Sequence, residues 1–261
     1  MAQTTTKEFP LTFAAFGPQS DAPRLEQIPT SSAVLLVDRI NAPATFIVLN
    51  FITKALKRRR PIWFLSYNHF REHWESLIQK QGIQSSLLQS LFKFQHVLEF
   101  EPMTLQSSPS DWLDMLSDLI KQQISELCEP GHEPTPLVII DDISSLMWSG
   151  ASLEELIRFS KGFYPIYNEL QYSLVAVLHG DLMDDQENQI LFNQLVHMSH
   201  VILRTSSLGG QGLGELTISR GPLCLDDMHL PVTISANQTT QYRIDDNSVT
   251  FYPKGLDRAF I

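Results

Sequence analysis

The chain reads as an α/β protein: a mainly parallel central sheet flanked by helices, closed at its C-terminal end by antiparallel strands. Three observations carry this reading. Short, wholly apolar, β-branched runs, Val34-Leu-Leu-Val37, Leu137-Val-Ile-Ile140 and Leu174-Val-Ala-Val-Leu178, have the composition of strands buried on both faces. Stretches of about 12–18 residues with helical spacing separate them, which implies right-handed βαβ units. Two last runs, Tyr242 to Ile244 and Val249 to Tyr252, flank Asp246-Asn247 and read as a hairpin.

The central stretch is Pro136 to Leu146, where the apolar run ends in a pair of carboxylates, Asp141 and Asp142. Open α/β sheets bind ligands at the carboxyl ends of their strands, so this pair stands where a ligand would be met. Upstream, Ser31 to Asp38 is the first strand and Ala44 to Arg59 the first helix, with Phe46, Leu49, Ile52, Ala55 and Leu56 on one face. Pro43 suits that helix's first turn, Lys57 to Arg60 closes it and Pro61 stops it. Ile62 to Ser66 is the second strand, followed by a helix carrying His69, His73, Trp74, Leu77 and Ile78. His96 to Glu101 reads as a third strand, and Ser110 as the cap of a helix that has Asp111 in its first turn and runs to Cys128. After the central strand come a helix from Ser152 to Leu170, a strand from Ser173 to Leu178, a helix from Glu187 to Met198, and strands His200–Arg204 and Gly214–Arg220. Residues 1–30, rich in Thr, Pro, Ala and Gln, form an N-terminal extension in which Leu11 to Phe16 covers an edge; residues 31–261 form a single domain.

A length of 261 residues accommodates a sizeable core. The net charge is −10, from 29 acidic and 19 basic residues, so the whole-molecule field repels nucleic acid and any such contact needs a local basic patch. Two cysteines, Cys128 and Cys224, provide no disulfide framework and suit a reducing compartment. Neither an apolar signal core at the N-terminus nor a membrane-spanning run is expected.

Nucleotide chemistry requires three parts in such a fold. A phosphate loop after the first strand would read Gly-x-x-x-x-Gly-Lys-Ser/Thr, but Asp38-Arg-Ile-Asn-Ala-Pro-Ala-Thr45 has Asp38 and Pro43 at the glycine positions and Ala44 at the lysine. The second strand would end in an acid that activates water, but Ser66-Tyr67-Asn68 follows. Only the third part, the carboxylates at the end of the central strand that hold Mg²⁺ in nucleotide triphosphatases, is present. Without the others, Asp141 and Asp142 read as a helix cap or an inter-subunit contact. No cofactor, metal or catalytic residue is expected. His69 and His73, four apart, lack an evident third ligand; His197 and His200 flank a strand entry; Asp181, Asp184, Asp185 and Glu187 read as a solvated loop and helix N-terminus.

Two stretches are candidates for nucleic-acid contact. One is the basic run Lys57, Arg58, Arg59 and Arg60, which also reads as a helix end stabilised by its dipole. The other is the glycine-rich loop Ser206 to Gly214, taken as Ser206, Ser207, Gly209, Gly210, Gln211 and Gly212 with Arg204 beside it.

The degenerate first loop and the retained Leu137-Val-Ile-Ile-Asp-Asp142 resemble the RecA-type ATPase fold, and His197 to Arg204 with Gly214 to Arg220 resembles the last strands of KaiC-like members. Val34 to Asp38, the Phe46-bearing helix, Trp63 to Ser66, His73 and Gln79-Lys-Gln-Gly82 resemble, more closely, the Elongator complex protein 6 family, over roughly residues 30–252. That resemblance implies a RecA-like domain over 31–261 and a non-catalytic subunit. It implies a hetero-hexameric ring with Elongator subunits 4 and 5, joined to the remaining subunits. It also implies tRNA binding by the ring, support of wobble-uridine (U34) modification, no membrane partner, and residence in the cytoplasm with the nucleus as a further compartment. By the same resemblance the loop after Arg204 faces the ring's channel. Two other classes compete: a RecA-like accessory protein in homologous recombination, and a working ATPase with an unusual phosphate loop. Some of the apolar residues outside the sheet, which include Phe13, Phe16, Trp148 and Phe163, are expected at ring contacts.

Overall fold

The computed structural model describes residues 32–99, 108–127, 134–181, 185–224, 239–245 and 248–253. Their elements follow in order as β1 (Ala33–Asp38), α1 (Thr45–Lys57), β2 (Ile62–Ser66), α2 (Arg71–Lys80), α3 (Ser85–Leu91), β3 (Phe92–His96), a 3₁₀ turn (Val97–Glu99), α4 (Pro109–Leu127), β4 (Leu137–Asp141), α5 (Ser145–Trp148), α6 (Leu153–Leu170), β5 (Ser173–His179), α7 (Gln186–His197), β6 (Val201–Ser207), β7 (Leu213–Arg220), β8 (Thr240–Asp245) and β9 (Ser248–Pro253). These strands form one sheet in the order β3-β2-β4-β5-β1-β6-β7-β8-β9. The pairs from β3 to β6 are parallel, and β7, β8 and β9 continue the sheet antiparallel.

The sequence dictates this layering. Every residue of β2 and β4 is buried, as an apolar strand between two helix layers requires. Alternation along each strand sends Val34, Leu36, Phe64, Ile139 and Val177 to one face, against α1, α2 and α3. Leu35, Trp63, Ile140 and Ala176 go to the other, against α4, α6 and α7. The same alternation fixes where the polar strand ends point. Asp38, Asp141 and His179 fall two residues beyond Leu36, Ile139 and Val177, so all three continue on the α1 face.

Local chemistry sets the ends. α1 stops in a Schellman arrangement: Arg59 N donates to Leu56 O (2.9 Å) and Arg60 N to Ala55 O (2.9 Å), with Arg59 left-handed at φ 57°. α6 starts with a capping box between Ser152 and Glu155. Gly214 lies beneath Tyr242, whose ring atoms would stand 2.4 Å from an added Cβ, so only glycine lets β7 and β8 pair there.

Several boundaries differ from the sequence reading. The third strand is Phe92–His96, not 96–101: Phe92 and Phe94 alternate inward against Phe64, with ring centroids at 6.0 and 5.5 Å. The period-two pattern outweighs the apolar run that follows it. α4 is capped by Ser108, whose Oγ accepts from Asp111 N (3.3 Å), with Pro109 at the first helical position; Ser110 is inside. α1 starts at Thr45 with Ala44 as N-cap, so Pro43 precedes the helix. The extension 1–30, the turn Asp246-Asn247, Cys128, Asp184, Phe13 and Phe16 lie outside the described residues, as does the Phe163 side chain. No helix among the described residues is long and apolar enough to cross a membrane.

Candidate functional site

The carboxyl edge of the sheet, on the α1 face, is where the sequence sought a nucleotide site. β1 ends in Asp38 and the chain turns through Arg39–Ala42, with Ala42 N donating to Arg39 O (2.8 Å). Asp38 then folds back on its own helix, accepting from Ala44 N at 2.9 Å on Oδ2. The helix N-terminus that would hold a phosphate is therefore occupied by the chain's own carboxylate. Thr205 Oγ1 donates to Ala42 O (2.6 Å) and Ile40 N donates to Asp181 Oδ2 (2.6 Å), which fixes the turn from both sides.

A histidine completes the arrangement. His179, at the end of β5, lies in register with Asp38. Its Nδ1 is 2.5 Å from Asp38 Oδ1 and its Nε2 is 2.7 Å from Asp142 Oδ2. Bonds to Asp142 and Asp38 push the imidazole up to about 10, so it is an imidazolium at neutral pH. Asp142 also accepts from Ser144 Oγ (2.5 Å), Ser145 N (2.7 Å), Ser145 Oγ (2.8 Å) and Asn68 Nδ2 (3.3 Å). Burial alone would raise this carboxyl; the bonds from His179, Ser144 and Ser145 hold it below the usual carboxylate range. Asp142 thus takes the first N–H of α5, whose N-cap is Ser144, and anchors the bridge. The Asp141–Asp142 peptide is cis. Asp141 itself is pushed up to about 7, first by burial and then by Asp142 and Asp38.

The end of β2 offers no acid: Ser66 is buried, its Oγ accepting from His69 N (3.3 Å), and the Tyr67 hydroxyl bonds Ser149 Oγ at 2.7 Å. His69 precedes α2 yet stacks on His73 with centroids 4.2 Å apart. No group of three metal-binding side chains forms among the described residues. His200 accepts from Ala33 N at 3.1 Å on Nδ1, a packing role at the start of β1. Asp185 caps α7 by accepting from Asn188 N.

The two nucleic-acid candidates separate. Lys57, Arg58 and Arg59 are exposed at the amino edge of the sheet, where α1 ends. Arg60 turns inward and is 7% exposed. Its guanidinium donates to Thr135 O, to Pro136 O (3.2 Å) and to Ser173 Oγ (2.5 Å), joining the starts of β4 and β5. Arg60 is therefore withdrawn from the surface patch. The glycine-rich stretch lies at the opposite edge and is a hairpin: Ser206 and Ser207 pair with Glu215 and Gly214, which leaves 208–212 as the tip. Gly209 N donates to Ser207 Oγ (3.1 Å), and Gly212 takes φ 71° against Ile244 O. Arg204 lies within β6 rather than at its end, its guanidinium over the Phe192 ring of α7 at 5.4 Å. Sequence reasoning missed His179. The available signal was a polar residue terminating an apolar strand, as Asp38 and Asp141 do.

The family model of Elongation complex protein 6 matches residues 23–246. The chain belongs to this family. Elongator complex protein 6 of Rattus norvegicus is 25% identical over 240 residues, covering 83% of this chain and 88% of the relative. The Homo sapiens protein is 25% identical over 83% of this chain and 88% of its own. That of Danio rerio is 25% identical over 87% and 92%. Among solved structures, a KaiC-like protein of Pyrococcus horikoshii superposes with TM-score 0.60 at 12% identity, covering 87% of this chain and 91% of that one. The flagellar accessory protein FlaH of Methanocaldococcus jannaschii superposes with TM-score 0.59, also at 12% identity. The RecA-like, KaiC-related fold read from the sequence is the one observed.

Proposed function

We propose that this chain is a non-catalytic RecA-like subunit of Elongator. On this reading it assembles with subunits 4 and 5 into a hetero-hexameric ring, which joins the remaining subunits, binds tRNA and supports wobble-uridine modification. Its compartment is the cytoplasm, with the nucleus as a further one. Family membership supports the Elongator assignment over a recombination accessory role.

The observation that carries the non-catalytic reading is the Asp38–His179–Asp142 bridge. A triphosphate at the first turn would have to displace Asp38 from Ala44 N and then face three carboxylates with one imidazolium between them. The lysine that would neutralise it is Ala44, and Pro43 offers no N–H. Calorimetry of the isolated chain with Mg-ATP is expected to show no binding tighter than about millimolar, roughly −4 kcal/mol. Micromolar affinity or turnover abolished by Asp141→Ala would restore the ATPase reading. For the assembly, native mass spectrometry of the three RecA-like chains mixed together should show the hexamer; a chain that stays monomeric beside them would end the ring reading.

A further inference from the structure

The internal bridge leaves one group over. Asp141 is 8% exposed at the carboxyl end of β4. Among the described residues no hydrogen bond or ion pair reaches its carboxylate, whereas Asp142 accepts five and Asp38 is bonded to Ala44 and His179. Both nitrogens of His179 are committed to Asp38 and Asp142, so this imidazolium has no bond left for Asp141. The groups acting on Asp141 are Asp142 on its own strand end, Asp38 at the end of β1 and His179 at the end of β5; β2 beside it ends in uncharged Ser66 and Tyr67. A nearly buried, unpartnered carboxyl in an electronegative setting is costly to ionise unless a cation meets it.

The loops around it are apolar at the surface. Ile40, Phe70, Leu98 and Trp148 follow β1, β2, β3 and β4 respectively, so all four leave the same edge of the sheet. Ile40 is 83% and Trp148 64% exposed, and Phe70 and Leu98 are more than half exposed. A free divalent ion fits this edge poorly. Such ions demand several oxygen ligands, and the oxygens of Asp38 and Asp142 are already bonded. A guanidinium fits better, being permanently charged, weakly hydrated and able to stack on an indole.

We propose that the carboxyl edge is a docking surface for a RecA-like partner subunit, which places an arginine on the Asp141 carboxylate while Ile40, Phe70 and Trp148 form the apolar rim. This rests on the ring-subunit reading above and names the contact within it. An arginine anchor inside an apolar rim that excludes water is the usual form of an interface hot spot. The uncompensated charge in the free chain is thereby explained as one half of an ion pair completed in the assembly.

The test is titration calorimetry of the full chain with its RecA-like partner subunits, in buffers of different ionisation enthalpy. Asp141, pushed up to about 7 when free, should ionise on pairing. Binding should therefore release close to one proton at about pH 6 and almost none at about pH 8, and affinity should rise with pH between them. Asp141→Asn, nearly isosteric, should weaken binding at least about tenfold and abolish the proton release. The free variant should melt no lower than wild type at about pH 8, because it loses a buried charge. Trp148→Ala should weaken binding while keeping the proton release. Unchanged affinity and proton release in Asp141→Asn would overturn the contact and leave ring membership standing. Submillimolar Mg²⁺ binding to the free chain that Asp141→Asn abolishes would replace the arginine by a metal. Failure of the wild type to bind any partner would overturn both readings together.

Discussion

His179 is held by two carboxylates at once, and the consequence is a stability that depends on pH in two directions. Its folded value is raised to about 10 from 6.5, so its contribution is complete below about 6.5 and is lost as pH rises through about 10. Asp142 is depressed, so its contribution is present above the ordinary carboxylate range and is lost as pH falls through its folded value. Asp141, raised to about 7, works the other way and costs stability as pH climbs from about 4 to 7. His179→Ala should remove the alkaline loss and, because Asp142 then has burial without its main partner, move the acid loss to higher pH. At neutral pH it should cost about 3–5 kcal/mol, the usual result of leaving buried charge unpaired. Urea unfolding from about pH 3 to about pH 10 reads all three effects; a variant curve parallel to wild type would deny the bridge its role. Arg60 obeys the same logic at the other edge. Arg60→Lys keeps the charge but cannot reach Thr135 O, Pro136 O and Ser173 Oγ together, so it should lose about 1–3 kcal/mol in the same assay. The loss of the nucleotide motifs was legible in the residues. What replaced them was not, because His179 and Asp38 are 141 positions apart and meet only through the β1–β5 register.

Among the elements, strands that are apolar throughout were legible because only a two-sided burial tolerates them, and β2 and β4 lie where the sequence placed them. β3 was displaced because Phe-Lys-Phe-Gln-His is covered on one side only. Its alternating pattern is weaker to read than the apolar run beyond it. Helix ends follow similar rules. Pro61 signalled the end of α1, but the sequence does not announce that Arg59 must turn left-handed to send Arg60 inward. A non-glycine residue there is strained, so Arg59→Gly should raise stability by about 0.5–1 kcal/mol while leaving the Arg60 bonds in place. Chemical denaturation detects this as a higher midpoint at an unchanged slope; a lower midpoint would mean that the Arg59 side chain contributes more than its backbone costs.

For the whole molecule, the placement of positive charge decides how an acidic protein could meet RNA. Lys57, Arg58 and Arg59 lie at the amino edge of the sheet and the 208–212 hairpin tip at the carboxyl edge, separated by at least the length of a five-residue strand, about 17 Å. A single phosphate is therefore not gripped by both. The tip itself carries no lysine or arginine, and Arg204 lies four positions before it, over Phe192. Glycine supplies freedom of shape at the tip, and Arg204 supplies the charge, so the two are separable by mutation. If the chain joins a tRNA-binding ring as proposed, Arg204→Ala in the reconstituted ring should weaken all tRNAs about equally, several-fold, and lower the salt slope by about one, as loss of a single phosphate contact does. Replacing 208–212 by a two-residue Asn-Gly turn should reduce affinity with the slope unchanged, since no charge is removed. Filter binding across salt concentrations, beside native mass spectrometry to verify an intact hexamer, distinguishes these effects. If instead Lys57→Ala and Arg59→Ala carry the slope while Arg204→Ala is silent, tRNA runs along the amino edge. If none of them alters binding, the contact belongs to the neighbouring subunits, and this chain contributes geometry alone.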